Sequence, residues 1–488
     1  MRRTLLGAAA GAALLFAAPG ALANGRFPAS NQILFSPSSQ GSIVVRSTFG
    51  IIITRDAGAS WTWLCEDILG LPPTSNEDPY LGLTQNDTLI AGLSLGLEVS
   101  TNTGCDWTTI GGPLKGQLIK DLAVHKDNPH ISDVITSTYG PTSGSDGGAG
   151  YTQQLYESTD DGASWAAFGL PIDPSAIVTT VDVAPSDPNR IYVSAFRGSG
   201  MTRTASLFVS KNKGMTWVEH QAPLDSKESA AYIGAVDPKN ADVVYLRTEG
   251  QSRLIVTQDG GQTFKPVHTM HDEMLGMTLS QDGSKVYVGS VADGLLVADS
   301  KTLTFQQTST IHVQCLATRG TELWACSDEV SGFAVGVSND DGKTFASKLH
   351  LLQVQGPEQC SASSMAARCT AWNDDASAFY NPFVGLCSNL GACYDGGPPE
   401  PLISTCSCTG SCNAIASSNA SDYDAAATCP DAGASSSGGS GGSGGGSTKS
   451  SGGCSTVGGG SALGAFAAFG LLAMAGRRRR RKRRVVTG

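Results

Sequence analysis

The sequence is short of several features that mark large functional classes. No Gly-x-Ser-x-Gly nucleophile elbow and no phosphate-binding loop stands out, which argues against an α/β-hydrolase and a P-loop nucleotide enzyme. Histidine is scarce, with seven residues and none after His350. Apolar runs are also short: the longest near the C-terminus, 461–476, falls below the roughly 20 residues of a membrane-spanning helix.

Basic residues are few, and their distribution makes the central region more acidic than the whole. The chain has 33 Lys and Arg against 43 Asp and Glu, for a net charge of −10. Ten of these cations are Arg2, Arg3 and the eight residues of 477–484, so removing both ends leaves 23. An acidic central region argues against nucleic acid as a partner. Its hydrophobic content of 40% is sufficient for a folded core.

An octapeptide recurs through the first three-quarters of the chain. "STDDGASW" begins at Ser158, and related copies begin at residues 54, 100, 210, 257 and 338. A degenerate seventh copy, "ADSKTLTF", begins at Ala298 and has lost the Asp and the Gly. The copies begin 46, 58, 52, 47, 41 and 40 residues apart, a period typical of repeat architectures.

Each octapeptide follows an apolar, β-branched run, as in "GIIITRD" and "RLIVTQD", and this pattern predicts a strand followed by a turn. The Asp or Asn can accept backbone hydrogen bonds in the turn, and the Gly tolerates positive φ. We therefore interpret these residues as structural and not catalytic, because a catalytic group is needed once and not seven times. They are Asp56, Gly58, Trp61, Asn102, Gly104, Trp107, Asp160, Gly162, Trp165, Asn212, Gly214, Trp217, Asp259, Gly261, Phe264, Asp340, Gly342 and Phe345.

A second pattern precedes each octapeptide: an apolar strand, a turn rich in Asp, Pro and Asn, and another strand, as in "TVDVAPSDPNRIYVSA". Each unit therefore contains four antiparallel strands, which is the blade of a β-propeller. We predict an all-β protein with a single seven-bladed propeller over 31–353. A six-bladed ring would require the degenerate copy at Ala298 to be no blade.

These octapeptides resemble the Asp-box (BNR) repeat superfamily, which includes sialidases, sortilin-type domains, some xyloglucanases and photosystem II assembly-factor propellers. The resemblance covers about residues 31–353. It implies the propeller fold, with the octapeptides in turns away from the ligand face. It leaves two functions open, a non-catalytic binding module for protein or polysaccharide and a surface glycoside hydrolase.

A sialidase-like site would need three arginines and a Tyr–Glu pair. Arg46, Arg197 and Arg247 each follow a predicted second strand and could share one rim, but the sequence does not identify the Tyr–Glu partner. Abundant loop Asp residues leave open a xyloglucanase-like carboxylate pair. "HTMHDE" (268–273) is interpreted as a solvated loop rather than a metal site, and no metal or cofactor is expected. We favour the non-catalytic function.

The longest loop of the repeat, 137–154, lies within the third blade. Tyr139 and Tyr151 flank its Gly-rich tip, and long loops on a rigid scaffold often carry recognition. These two tyrosines are therefore predicted to contact a glycan or protein ligand.

Both ends of the chain carry sorting features. Residues 1–23 predict a signal peptide. Residues 433–453 form a Gly/Ser-rich linker, and 454–488 contain Cys454, the apolar segment 461–476 and the Arg-rich cluster 477–484. This tail resembles the MYXO-CTERM sorting tail of myxobacterial surface proteins, which implies processing near Cys454 and attachment to the cell surface. We expect an exported monomer joined to the envelope by its C-terminus; a retained transmembrane helix at 461–476 is the alternative.

Thirteen cysteines remain to be explained, and setting Cys454 aside leaves twelve. In an exported protein an even number indicates disulfides. Cys315 and Cys326 are placed to bridge one hairpin, and Cys65 and Cys105 to link neighbouring blades. The other eight lie between Cys360 and Cys429, so 354–432 is interpreted as a disulfide-stapled module or stalk.

Overall fold

Seven four-stranded antiparallel sheets follow one another along the chain and close into a ring. The computed structural model describes residues 29–371, except 72–74, 76 and 142–148, together with two short strands at 406–407 and 411–412. The predicted seven-bladed β-propeller is confirmed. The six-bladed alternative is wrong, because the sheet that contains the degenerate octapeptide has all four strands.

The strands run outward from the ring axis in chain order within each blade. Blades 1 and 2 comprise β1 (Ser30–Phe35), β2 (Ile43–Ser47), β3 (Gly50–Thr54), β4 (Trp61–Cys65), β5 (Tyr80–Leu83), β6 (Leu89–Leu93), β7 (Gly96–Ser100) and β8 (Thr108–Thr109). Blade 3 comprises β9 (Ile119–Val124), β10 (Ser132–Thr136), β13 (Leu155–Ser158) and β14 (Ala166–Phe168), with the inserted hairpin β11 (Thr138–Pro141) and β12 (Ala149–Thr152).

Blades 4 and 5 comprise β15 (Ile177–Val183), β16 (Ile191–Arg197), β17 (Thr204–Ser210), β18 (Val218–Ala222), β19 (Ala230–Val236), β20 (Val244–Glu249), β21 (Arg253–Thr257) and β22 (Lys265–Thr269). Blades 6 and 7 comprise β23 (Gly276–Leu279), β24 (Lys285–Ser290), β25 (Gly294–Asp299), β26 (Gln306–Ser309), β27 (Cys315–Arg319), β28 (Glu322–Cys326), β29 (Val335–Ser338) and β30 (Ala346–Leu349). The strand β31 (Val354–Pro357) follows the last blade, and β32 (Cys406–Ser407) pairs with β33 (Ser411–Cys412). Short 3-10 turns occupy Glu66–Leu69, Gly112–Leu114, Gly200–Thr202, Glu329–Ser331, Leu351–Gln353 and Met365–Ala371.

Burial falls from the middle strands to the outer strands. All five residues of β3 and of β6 are buried, because both faces of a blade pack against its neighbours. Both residues of β8 are exposed. This explains why the middle strands are continuous apolar runs rather than alternating patterns.

The octapeptides form the turns between the third and fourth strands. In blade 3, Ser158 Oγ donates to Asp160 Oδ1 at 2.8 Å, and Gly162 N donates to Ser158 Oγ at 2.8 Å. Ser164 completes the turn, since its N–H and Oγ donate to the two oxygens of Asp160 at 2.8 and 2.6 Å. Asp161 and Gly162 both have positive φ, of 57° and 85°. Gly162 adopts this conformation without strain because it has no Cβ.

The same turn recurs in the other five well-preserved copies. In each, the residue at the seventh position donates its N–H to the Asp or Asn, at 2.8–2.9 Å; the acceptors are Asp56, Asn102, Asn212, Asp259 and Asp340. Hydrogen bonds from Thr263 lower the pKa of Asp259 to about 2. The degenerate copy uses a different turn, in which Lys301 N donates to Asp299 Oδ1 at 2.8 Å. The Asp or Asn at the third position of each well-preserved octapeptide therefore accepts hydrogen bonds within its own turn.

The segment that follows blade 7 fastens the end of the ring to its beginning. β31 pairs in parallel with β4, the outer strand of blade 1. Disulfides then join Cys360 to Cys105 and Cys369 to Cys65, each with a Cα–Cα distance of 5.6 Å. We call residues 354–371 the clasp.

The clasp corrects the predicted pairing of Cys65 with Cys105. Both cysteines bond to the clasp instead, because β31 carries the chain along the outer edge of blade 1. Cys315 and Cys326 are opposite each other in the β27–β28 hairpin and form a disulfide, as expected. Cys360 and Cys369 thus bond to the propeller rather than within a separate module.

Several predicted features lie outside the described residues. They are the signal peptide 1–23, most of the Cys-rich segment, the linker 433–453, Cys454, the apolar segment 461–476 and the Arg-rich cluster 477–484. Where the structure does describe the chain, no helix is long and apolar enough to span a bilayer.

Candidate binding site at the channel mouth

The two faces of the ring carry different connections. Each blade starts at its inner strand and ends at its outer strand, so the octapeptide turns lie on one face. The opposite face, here called the top face, carries the loops between blades and the turns between second and third strands. The structural residues of the octapeptides are therefore separated from the top face by the length of the strands.

Polar pairs fix the top-face loops in place. In five blades, a residue of the incoming loop bonds to the same blade's second or third strand or the turn between them. The pairs are Glu77 with Ser94 Oγ (2.8 Å), Asp173 with Arg197 (3.0 Å), Glu228 with Arg253 Nε (2.7 Å), His271 with Asp293 (2.6 Å) and His312 with Asp328 (2.8 Å). These five pairs hold the incoming loops of their blades in a preorganised arrangement.

These pairs also show what the "HTMHDE" loop does. His271 bonds to Asp293 of blade 6, and the ring of His268 lies 4.8 Å from that of Phe305. Within the described part of the chain, no group of three or more His, Cys, Asp or Glu side chains is arranged to hold a metal ion. The loop's histidines are engaged in local packing and pairing.

Two tyrosines lie at the start of the central channel, which we call the channel mouth. Tyr80 begins β5, and Tyr232 lies near the start of β19. Burial raises the pKa of each to about 12, and the charge of Asp121 adds to the shift at Tyr80. Both are therefore neutral phenols near pH 7 and can donate and accept hydrogen bonds.

Tyr232 has a glutamate close by, a neighbour that the sequence did not identify. It is Glu249 at the end of β20, whose charge adds to burial in raising the pKa of Tyr232. The guanidinium of Arg247 lies 5.4 Å from the Tyr232 ring centre and donates to Met274 O at 3.0 Å. The sequence contains a signal for this proximity, because Tyr232 and Glu249 lie at facing ends of a predicted hairpin.

The three arginines expected on one rim do not converge. Arg46 bonds to Asn31 Oδ1 at 2.7 Å and to Pro79 O at 2.8 Å, beside Tyr80. Arg247 also lies at the mouth, but Arg197 ends β16 and bonds to Asp173 and Glu219, with Phe208 beneath it. The cause is the position of Glu219 on β18, which draws Arg197 toward the outer part of blade 4.

Asp121 on β9 is an inner-strand acid whose charge acts on Tyr80. Its two oxygens accept backbone hydrogen bonds from Leu122 and Val181, both at 2.9 Å. Burial raises its pKa to about 7. Because both oxygens are bonded to backbone, this acid links the inner strands of blades 3 and 4.

We expect the stability that Asp121 contributes to decline with rising pH. Its folded pKa lies above the ordinary value of 3.8, so the contribution is full below pH 4 and is lost as pH rises through 7. Asp121→Asn removes this titration, so wild type should lose stability relative to the variant between pH 4.5 and 8, on the order of 2 kcal/mol. Thermal unfolding at both pH values measures the difference; parallel pH profiles would contradict it.

Beside the mouth lies an exposed apolar surface, which we call the ridge: Leu95, Leu118, Tyr139 and Tyr151. Leu95, Leu118 and Tyr139 are 76%, 39% and 64% exposed. Tyr139 and Tyr151 pair across the β11–β12 hairpin with ring centres 4.9 Å apart. Hence the two predicted tyrosines come together, while the tip between them lies outside the described residues.

Backbone hydrogen bonds connect the parts of the ridge. Gly116 N donates to Leu95 O, and Ser137 N donates to Leu118 O, both at 3.0 Å. These bonds join the second turn of blade 2, the loop between blades 2 and 3, and the inserted hairpin. The repeat pattern did not single out Leu95 and Leu118, although a leucine in a two-residue turn is itself an unusual signal.

Comparison with known proteins identifies no family for this chain. No family model matches the chain, and no curated protein matches it by sequence. Among solved structures, an ancestral GH74 enzyme aligns at 15% identity and a TM-score of 0.46 over 67% of this chain and 45% of its own. The extracellular domain of a putative hybrid two-component system from B. thetaiotaomicron aligns at 15% identity and a TM-score of 0.40, over 61% of this chain and 36% of its own.

A third structure, YCF48 bound to D1 peptide, aligns at 13% identity and a TM-score of 0.38 over 55% of this chain and 80% of its own. This chain spans less than half the length of the GH74 enzyme and of the two-component system domain. At these identities and TM-scores the likeness carries no argument about what this chain does. The chain is a seven-bladed β-propeller whose top face combines a polar channel mouth with an exposed apolar ridge.

Proposed function

We propose that this chain is an exported, surface-anchored Asp-box propeller that acts as a non-catalytic binding module, with a protein as its partner. The observation that carries the proposal is the ridge. Large apolar side chains exposed together on a soluble domain mark interaction surfaces. Leucines and tyrosines in combination suit a protein surface, because Leu95 and Leu118 offer no polar atom to sugar hydroxyls.

The location follows from the two ends of the chain. The N-terminal apolar run and the C-terminal sequence of Cys454, apolar segment and Arg cluster support export followed by attachment. Disulfides at Cys65, Cys105 and Cys315 fit an oxidising compartment.

The competing function is a surface glycoside hydrolase, sialidase-like or xyloglucanase-like. The Tyr232–Glu249 pair beside Arg247 favours it. Two observations weigh against it: the pKa of Tyr232 is raised to about 12, and Arg197 is bound by Asp173 and Glu219. A phenol so hard to ionise is a poor nucleophile near neutral pH.

The test measures binding of the purified mature protein to cells of the source organism from which its gene has been deleted. We expect Leu95→Ser/Tyr139→Ser to lower this binding by at least tenfold. The matched control is Met215→Ser/Val218→Ser, whose residues are 57% and 56% exposed at the octapeptide face. That control should bind like wild type. Equal binding by wild type and the ridge variant would refute the proposal.

Two treatments of the target cells identify the partner. Trypsin should abolish binding and periodate should spare it if the partner is a protein; the reverse result indicates a polysaccharide. Hydrolysis of xyloglucan or a fluorogenic sialoside that is lost in Tyr232→Phe would instead establish the hydrolase.

A further inference from the structure

We propose that the clasp carries mechanical load directly between the C-terminal tether and blades 1 and 2, so that tension bypasses blades 4–7. This inference rests on the proposed surface attachment and ligand binding for its purpose, but its geometry stands on the described residues alone. The chain leaves the clasp toward the C-terminal segment that we expect to be anchored. Any pull between a ligand on the ridge and that anchor must pass through residues 354–371.

Without its disulfides, the clasp would be held to blades 1 and 2 by non-covalent contacts alone. β31 pairs with β4 only around Val354 and Pro357. The other contacts of the clasp are all non-covalent. Glu358 N donates to Trp63 O at 2.8 Å, Glu358 bonds to Arg55 at 2.6 Å and to Thr62, Met365 N donates to Asp106 at 2.8 Å, and Ala366 N donates to Cys105 O at 3.0 Å. Val354 and Ala366 are buried in the core beside blade 1. A pull from the C-terminus would break these one at a time.

Next in line would be blade 7, because it directly precedes the clasp. Its closure on blade 1 is non-covalent, through Ser30 Oγ to Ala334 O and Trp61 Nε1 to Lys348 O, both at 2.8 Å. Phe35 and Trp324 pack between the two blades with ring centres 5.4 Å apart. A strand peeled from its end loses its hydrogen bonds successively, so blade 7 and then its predecessors would unravel.

The disulfides change this path. Cys360 bonds to Cys105, in the octapeptide that directly follows β7, and Cys369 bonds to Cys65 at the end of β4. Leu95 of the ridge lies at the turn that precedes β7, in the same hairpin. Tension between Leu95 of the ridge and the C-terminal tether therefore runs through the β6–β7 hairpin and the Cys105–Cys360 disulfide.

Single-molecule pulling of the purified full-length chain tests the load path without a ligand or a membrane. One handle is attached at an epitope inserted within 142–148, between β11 and β12, and the other at the C-terminus. For the oxidised chain, the extension within the propeller should be limited to the residues between Cys105 and the handle, on the order of 150 Å at ~3.6 Å per residue.

In Cys360→Ser/Cys369→Ser, blades 7 to 4 should unravel in succession and release roughly 800 Å at the same length per residue. If this variant fails to fold, adding a reductant to the folded wild-type chain under low tension gives the same comparison. The matched control, Cys315→Ser/Cys326→Ser, lacks the hairpin disulfide but keeps the clasp and should extend like wild type.

Release of the long extension by the oxidised wild-type chain would overturn the proposal, as would identical traces for wild type and the clasp variant. Loss of cell binding in the ridge variant is measured separately. A failed load path and a failed binding function are therefore distinguishable.

Discussion

The Cys360→Ser/Cys369→Ser variant should be far less stable than wild type, because it loses both disulfides of the clasp. These disulfides close loops with sequence separations of 255 and 304 residues. A single cross-link over such a loop restricts the unfolded chain by about 5 kcal/mol in the loop-entropy account. The second adds less, because the two loops overlap.

The effect should also change how the protein unfolds. With the clasp intact, blades 1, 2 and 7 are held together, and we expect one cooperative transition. Without it, the contact between blades 7 and 1 depends on packing and hydrogen bonds, so unfolding should begin there. Calorimetry under oxidising conditions measures both the midpoint and the number of transitions.

Cys315→Ser/Cys326→Ser is the matched control, because it also removes two cysteines but opens a loop with a separation of only 11 residues. The expected loss is about 3 kcal/mol, without a change in cooperativity. Equal losses in the two variants would show that the clasp has no special role in ring closure.

Cys454→Ser should release the protein from the cell surface into the medium. The Gly/Ser-rich composition of 433–453 predicts a coil with a root-mean-square reach of about 25 Å, which would let a tethered propeller stand away from the envelope. Attachment through a modified Cys454 would then be the only link. Cell fractionation with immunodetection measures the release, and Ser455→Ala is the neighbouring control that should stay on the surface.

Intact-mass measurement separates this outcome from the alternative anchor. If 461–476 is a permanent membrane segment, the serine variant stays with the membrane and its mass includes the cluster 477–484. That result would replace the sorting tail with a single-pass anchor. It would leave the propeller and its ridge unaffected.

Local chemistry made the blades predictable from sequence. The octapeptide encodes its turn within eight residues, since Ser158, Asp160, Gly162 and Ser164 bond to one another and to their own backbone. Apolar strands flank each copy at a regular period. Even the degenerate copy at Ala298 keeps its strands, so the count of seven needed no knowledge of contacts between distant residues.

The tertiary structure alone decided what joins distant parts of the chain. Cys65 pairs with a residue 304 positions away, and only the course of β31 along β4 selects it over Cys105. Arg197 lies at the end of a second strand, as Arg46 and Arg247 lie near the ends of theirs, yet Glu219 on the outer strand of the same blade removes it from the mouth. Leu95 and Leu118 become one surface only when blade 2 lies beside blade 3. Turns of a few residues are governed by local hydrogen bonds and φ, whereas disulfide partners and surfaces depend on distances that the ring closure sets.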